Sequence, residues 1–235
     1  MPKKAILNIK SLKEQVYEYL RDQMQTGKLL PGSLINLDDT SRKLGVSRTP
    51  LRDALLQLEM ENFVSIIPRR GIVVKQLTLK DIQEYYEIIG SLESRAVLEA
   101  MNFMKALDVK KMRDLNNEME IAISKDNFNH YYQKNLRFHD VFLHLCGNSH
   151  LIKIVANLKK RLYDFPRQEG FVKQWEISSI EEHRKLVDLI AEGHKEEAAA
   201  FIRDVHWSYK VQEIFIKEYY KHAAAVSRGA DAKFA

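Results

Sequence analysis

Apolar side chains recur every three to four residues along most of the chain, the spacing of helices that bury one face. The run from Leu12 to Met24 predicts a helix over Ser11–Thr26. A second helix is predicted over about Asp38–Leu44. A third begins after Ser47, a small hydroxyl residue typical of an N-cap, and runs to about 62.

Two runs rich in β-branched residues follow these helices. Phe63–Ile67 and Gly71–Val74 are separated by Pro68, Arg69 and Arg70, which predicts a β-hairpin. Three helices followed by a hairpin is the order of a winged helix-turn-helix, in which the third helix enters DNA.

The pattern becomes helical throughout after residue 76. Capping-box sequences at Thr78–Asp81 and Ser179–Glu182 predict two helix starts. The predicted helices are Thr78–Met104, Asp108–Lys125, Phe128–Cys146, Ser149–Tyr163, Ser179–Glu192 and Lys195–His222. We therefore expect a mostly α protein whose second part is an all-α helical bundle.

The positive charge is concentrated in the first third of the chain. Residues 1–78 contain 13 Lys and Arg against 8 Asp and Glu, whereas residues 79–235 contain 24 of each. This shift predicts a DNA-binding domain over 1–78, a neutral helical domain over 79–222, and a frayed tail over 223–235. Charge alone is also compatible with a solvated basic surface.

Composition and motifs exclude several other classes of protein. A chain with 45% hydrophobic and 29% charged residues is a globular protein, and the single cysteine, Cys146, favours a reducing compartment. No apolar run is long enough to span a bilayer, so we expect a cytoplasmic protein without a membrane partner. Phosphate-binding loops, nucleophile elbows and His-Glu-x-x-His pairs are missing, so we expect no enzyme.

The start of the third helix carries the candidate DNA contacts. Ser47 as the cap would place Arg48, Thr49 and Arg52 on its first turns, where free N–H groups and the helix dipole favour phosphate. Arginine there can also bind the edge of guanine with two hydrogen bonds. Arg69 and Arg70 would lie at the tip of the hairpin.

The segment Leu44–Glu59 (LGVSRTPLRDALLQLE), followed by Pro68–Gly71 (PRRG), closely resembles the GntR family of bacterial transcription regulators. Leu30–Gly32 fits the same pattern. The second half is similar to the FadR-type ligand-binding domain, or FCD domain, of that family. The residues that carry this second likeness are Tyr86-Glu87, Leu92-Glu93, Phe138-His139, Gly147-Asn148, Glu182-His183 and the stretch from Gly193 to Arg203.

This resemblance implies a homodimer that binds a palindromic operator, as a repressor, and is controlled by a small-molecule effector in the helical domain. It implies that the recognition helix and the wing contact DNA and that the wing glycine enters the minor groove. The implied DNA-binding residues are Ser47, Arg48, Thr49, Arg52, Arg69, Arg70 and Gly71.

Many FadR-type domains hold a divalent metal with an Asp and a His four residues apart and two histidines on later helices. The resemblance puts Asn135 and His139 at the first pair and His183 at the next position. The last position falls on Val205, and His206 lies about 100° further round the helix, so it could serve only if the helix shifts or bulges. His139 and His183 are therefore candidate ligands for zinc or nickel, or else hydrogen-bonded pocket histidines, because Asn135 contributes no charge.

The expected effector differs from the usual acids of such domains. The family often has an arginine four residues before the glutamate at Glu93, where this chain has Ile89. Such an arginine would bind a carboxylate of the effector with two hydrogen bonds. Without it, we expect an effector that is more apolar or is recognised by hydrogen bonds. Its pocket would be lined by Tyr85, Tyr86 and Phe138, unless these residues are plain core. The alternatives are an all-helical metal-dependent hydrolase or lyase, and a constitutive DNA-binding dimer with a vestigial pocket.

Overall fold

A computed structural model describes residues 10–163 and 172–231. The described chain divides into two compact units. The first unit holds the residues up to Leu77, and the second begins at Thr78 and includes the helices from Lys173 onward.

The first unit contains three helices and a small antiparallel sheet. Its elements are α1 (Leu12–Gln25), β1 (Leu34–Ile35), α2 (Leu37–Leu44), α3 (Arg48–Met60), β2 (Val64–Ile67) and β3 (Gly71–Val74). The predicted β2–β3 hairpin is confirmed, with Ser65 opposite Val73 in its register. The two-residue strand β1 pairs with the other edge of β3; it is too short to give a sequence signal.

The core of this unit is formed by the apolar stripes that the sequence pattern predicted. α1 packs on α3, α3 packs on β2, and the apolar residues of all three belong to one buried cluster. The buried side chains include Val16, Leu20, Met24, Leu51, Leu55, Leu58, Phe63, Ile72 and Val74. This core holds α3 and the hairpin in place while leaving their polar ends outside.

The second unit is helical throughout its described residues. It contains α4 (Leu79–Ala100), α5 (Ala106–Ser124), α6 (Phe128–Leu145), α7 (Ser149–Tyr163), α8 (Lys173–Ala191), α9 (Lys195–Phe201), a π-helical turn (Ile202–His206) and α10 (Tyr209–Asp231). The capping box predicted at Thr78 is confirmed, since the Thr78 hydroxyl accepts a hydrogen bond from the Asp81 N–H.

Two predicted helix boundaries in this unit are wrong. α8 begins at Lys173, so Ser179 lies inside the helix and its capping-box sequence marks no start. The predicted helix Lys195–His222 is interrupted by the π-helical turn.

α10 continues to Asp231, so the predicted helix end near residue 222 is wrong as well, while the frayed tail over 223–235 stays a prediction. Three consecutive alanines, residues 223–225, favour continuation of α10 because alanine has the highest helix propensity. Residues 232–235 of that tail lie outside the described residues.

The packing of the helical unit brings four segments around one centre. α5 packs against α6 and α8, while α4 packs against α6, α9 and the π-helical turn. Side chains from α4, α6, α8 and the π-helical turn can therefore meet inside the bundle. No helix within residues 10–163 and 172–231 has the length and apolar character needed to cross a membrane.

Candidate functional sites

The start of α3 is an exposed, positively charged helix end. Arg48, Thr49 and Arg52 are all exposed on its first turns. Ser47 has the N-cap conformation, but its side chain makes no capping hydrogen bond. The first-turn N–H groups, which an α-helix cannot satisfy by itself, therefore remain available to an anion.

Arg48 has an acidic neighbour in the preceding helix. Its Nη2 atom lies 2.6 Å from Oδ1 of Asp38, and both side chains are more than half exposed. Exposed ion pairs contribute at most about 1 kcal/mol, so a phosphate group could take the place of Asp38.

The turn between β2 and β3 exposes the second group of candidate residues. Arg69 and Arg70 lie between the strands, and Gly71 begins β3. Gly71 has a φ of +100°, a conformation that side chains disfavour, and the nearest atom to a Cβ there would be Leu34 Cδ2 at 3.8 Å. The glycine is thus required by the turn, and it leaves open space beside the backbone.

Three histidines converge in the core of the helical unit. His139 on α6, His183 on α8 and His206 in the π-helical turn have ring centroids 4.9–5.3 Å apart. One ring nitrogen from each lies within 4.8 Å of the others. All three are buried, as is Asn135 one turn before His139.

Each imidazole is fixed by an acceptor at its Nδ1 atom. His139 Nδ1 lies 2.8 Å from Glu93 Oε2, and His206 Nδ1 lies 2.8 Å from Glu182 Oε2. These carboxylates require Nδ1 to carry the proton, which leaves Nε2 as a lone-pair donor.

His183 is held in the same tautomer by an amide. Its Nδ1 lies 3.2 Å from Asn116 Oδ1, and the Asn116 amide N–H donates at 3.0 Å to the Ile180 carbonyl. Because that donation fixes the orientation of the amide, its oxygen must face His183 and accept. The Nε2 atoms of His139 and His183 are buried without a hydrogen-bond partner, and so is Asn135 Oδ1.

The π-helical turn explains how His206 reaches this cluster. The Trp207 N–H donates to the Ile202 carbonyl, five residues earlier, at 3.0 Å. The turn therefore holds one residue more than an α-helical turn, and His206 is buried while Val205 is partly exposed. The structure therefore contains the helix bulge that His206 needs in order to join the cluster.

A buried carboxylate supports the cluster from α4. Glu93 Oε2 also accepts the indole N–H of Trp207 at 2.7 Å, and Glu93 Oε1 lies 2.5 Å from Lys159 Nζ. Burial opposes ionisation of Glu93, but His139 and Lys159 together hold its pKa well below the usual range.

Burial keeps two of the cluster histidines, His139 and His183, neutral at physiological pH. It lowers the pKa of His139 to about 3, and it also lowers the pKa of His183, with the neighbouring histidines acting in the same direction. Buried imidazoles that converge on one point, with the proton of each held at Nδ1, are suited to a divalent cation.

Comparison with known proteins found a family model that matches each unit. The model of the FCD domain matches residues 84–205, and the model of the bacterial regulatory proteins of the gntR family matches residues 12–74. The chain belongs to the GntR family of transcriptional regulators, with an FCD effector-binding domain. The FadR subfamily that the sequence suggested is a finer assignment, with which the FCD domain is consistent.

Several GntR-type regulators are similar to this chain over most of their length. An uncharacterised regulator of Bacillus subtilis, YdhC, is 26% identical over 186 residues, covering 78% of this chain and 83% of that protein. The Escherichia coli regulator McbR is 26% identical over 162 residues, covering 69% and 73%. The solved structure of McbR covers 90% of this chain and 100% of its own, with a TM-score of 0.69 and 23% identity.

Sequence reasoning missed most of the buried partners of the histidines in this GntR-family chain. Asn116 and Lys159 gave no signal, because polar residues on a helical stripe are normally solvated. Glu182 adjoins His183 in sequence, yet its contact is with His206, which only the packing of α8 on the π-helical turn reveals.

Two expected pocket walls have definite packing roles. Phe138 is fully buried and stacks on His183 with centroids 4.1 Å apart, so it is core that supports a histidine. Tyr86 is buried and packs edge-on against Trp207 at 5.1 Å. Tyr85 is only partly buried.

Proposed function

We propose that this GntR-family chain is a cytoplasmic homodimeric repressor that binds a palindromic operator and is controlled by a small molecule in its helical unit. The support for DNA contact is the exposed, uncapped start of α3 with its two arginines. Two such helix ends in a dimer with twofold symmetry would match two half-sites of a palindrome.

In this proposal the α3 residues bind base edges and phosphates, and the turn between the strands binds the minor groove. Gly71 carries no side chain and so permits close approach of the sugar–phosphate wall. The proposed DNA-binding residues are Ser47, Arg48, Thr49, Arg52, Arg69, Arg70 and Gly71.

We propose further that the histidine cluster holds a divalent metal, zinc or nickel. The donor set fits, because His139 Nε2, His183 Nε2 and Asn135 Oδ1 are buried without a partner. His139, His183 and His206 would be the imidazole ligands, with Asn135 offering a neutral oxygen. When bound, the metal supplies a positive charge that can bind an oxygen of the effector.

The neutral ligand set favours an effector of low negative charge. Ile89 is fully buried at the position where the resemblance implied an arginine, and the charge of Lys159 is already paired with Glu93. The remaining recognition would come from apolar contact and hydrogen bonds near Tyr86 and Trp207.

The operator test uses a gel shift with the region upstream of the chain's own gene. We expect wild-type protein to bind it specifically and more weakly as salt rises, and Arg48→Ala to lose binding while retaining its circular dichroism spectrum. Failure of the wild type to bind any duplex at low ionic strength would contradict the DNA-binding proposal.

The metal and effector are tested on the same preparation. Elemental analysis is expected to find zinc or nickel in wild-type protein and none in His183→Ala.

A thermal-shift screen is expected to find stabilisation by neutral or aromatic metabolites; stabilisation by small dicarboxylates alone would contradict the effector class. DNA affinity that no metabolite changes would instead indicate a constitutive DNA-binding dimer.

A further inference from the structure

Gly90 lies in the middle of α4, where glycine costs about 1 kcal/mol relative to alanine. A Cβ on Gly90 would lie 2.9 Å from the Cβ of Trp207, and 3.5 Å from the Cα and O atoms of Arg203. These are atoms in and next to the π-helical turn. The backbone of the π-helical turn therefore packs directly on α4 at the one place where α4 has no side chain to separate them.

The π-helical turn determines which residue faces the histidine cluster. In a regular α-helix each residue advances by about 100°, so the ligand position that the resemblance implies would fall on Val205 and His206 would lie about 100° further round the helix. The bond between the Trp207 N–H and the Ile202 carbonyl widens the turn by one residue, and His206, not Val205, lies against His139 and His183.

We propose that Gly90 is a positioning residue for the metal centre: it admits the wide π-helical turn, and the turn delivers His206 to the metal. This inference rests on the metal centre proposed above. The effect is also reciprocal. If the metal binds more tightly when the turn is π-helical than when it is α-helical, metal binding stabilises the π-helical turn. Metal binding thereby fixes the start of α10, the helix that follows the turn.

The first test adds a methyl group at Gly90. Gly90→Ala raises the helix propensity of α4, so any loss of metal affinity cannot come from a weaker α4. With Co²⁺ as the probe, we expect the affinity for Co²⁺ to fall about 10- to 100-fold, the loss typical of changing a residue that orients a metal ligand. We also expect the d–d absorption of bound Co²⁺ to change. Ser91→Ala, at the exposed neighbouring position, is the matched control and is expected to change affinity by less than about twofold.

The second test removes the extra residue of the turn. Asp204 is exposed and pairs with the adjacent Arg203, so its deletion disturbs no buried contact. Deletion of Asp204 converts the π-helical turn to an α-helical one and puts His206 at the position now held by Val205. We expect Co²⁺ affinity to stay within about twofold of wild type and to be lost again when His206→Ala is added.

Combining the two changes distinguishes positioning from general damage. Without the wide turn there is less backbone to press on position 90, so deletion of Asp204 is expected to restore Co²⁺ affinity to Gly90→Ala. A purely structural role for Gly90 predicts that the two changes add their losses. If circular dichroism shows that Gly90→Ala does not fold, Co²⁺ affinity of the deletion variant and of the combined variant still tests the positioning role.

The outcomes separate this inference from the metal centre itself. Co²⁺ binding by wild type and its loss in His183→Ala establish the metal centre. If that holds while deletion of Asp204 abolishes binding and Gly90→Ala leaves it unchanged, the positioning role is wrong and the metal centre stands. If wild type binds no Co²⁺, both proposals are overturned.

Discussion

The two units place their candidate side chains in opposite environments. In the first unit, Arg48, Arg52, Arg69 and Arg70 are exposed, and Arg48 has one weak partner in Asp38. In the second unit, the three histidines are buried and each is fixed by a hydrogen bond at Nδ1. An exposed site can be built from one helix end and one turn, whereas a buried site needs partners from several helices.

This difference predicts different consequences of substitution. Removing an exposed arginine deletes an interaction with a partner and leaves folding intact. Removing a buried polar group leaves another polar group without its partner, so stability and metal affinity change together.

The largest effect is expected from the two arginines at the start of α3. Arg48→Ala combined with Arg52→Ala is expected to weaken binding to a duplex selected by the wild type by about 4 kcal/mol, roughly 1000-fold, because each can read a base edge. Fluorescence anisotropy measures the affinity. Lys28→Ala removes an exposed cation of the same unit and is expected to have little effect; an equal loss there would show that general charge, and not the α3 start, governs binding.

A smaller effect is expected on the stability of the helical unit. Lys159→Met leaves the buried Glu93 carboxylate without its cation and is expected to destabilise the unit by about 3 kcal/mol. Both tryptophans, Trp175 and Trp207, lie in this unit, so urea unfolding followed by their fluorescence reports on it alone. Adding Glu93→Gln is expected to recover part of the loss; a larger loss in the double variant would contradict the pairing.

A third prediction concerns the partner of His206. Glu182 accepts hydrogen bonds from His206 and from the Gln212 amide, which lies 2.8 Å away. Glu182→Gln removes the negative charge that orients the imidazole, and zinc affinity is expected to fall about 10- to 100-fold in a competition titration. Glu181→Gln, one residue away and exposed, serves as the control and is expected to bind zinc normally.

The smallest effect is a pH dependence of stability. Burial raises the pKa of Glu176 to about 7, above its unfolded value, so its contribution to stability is present in acid and is lost as pH rises through 7. Glu176→Gln is therefore expected to be more stable than wild type by about 1 kcal/mol at pH 8, discounted for its partial exposure, and little different at pH 4. Thermal unfolding at the two pH values measures this; a pH-independent difference would contradict the assignment.

The sequence by itself determined the elements and the exposed site. Apolar periodicity placed α1, α3 and the β2–β3 hairpin within a few residues, because these elements share one small core and their ends are set by local turns. The resemblance in Leu44–Glu59 then supplied the proposed DNA-binding surface, whose side chains need no partner from elsewhere in the chain.

The tertiary structure decided the buried centre. The sequence left His206 one residue out of place, since helical spacing assumes 100° per residue, and the π-helical turn packed on Gly90 changes that spacing. It also gave no indication that Glu93, Asn116 and Glu182 would fix the three tautomers. Those contacts join helices that are far apart in sequence, and only the packing of the bundle brings them within hydrogen-bond distance.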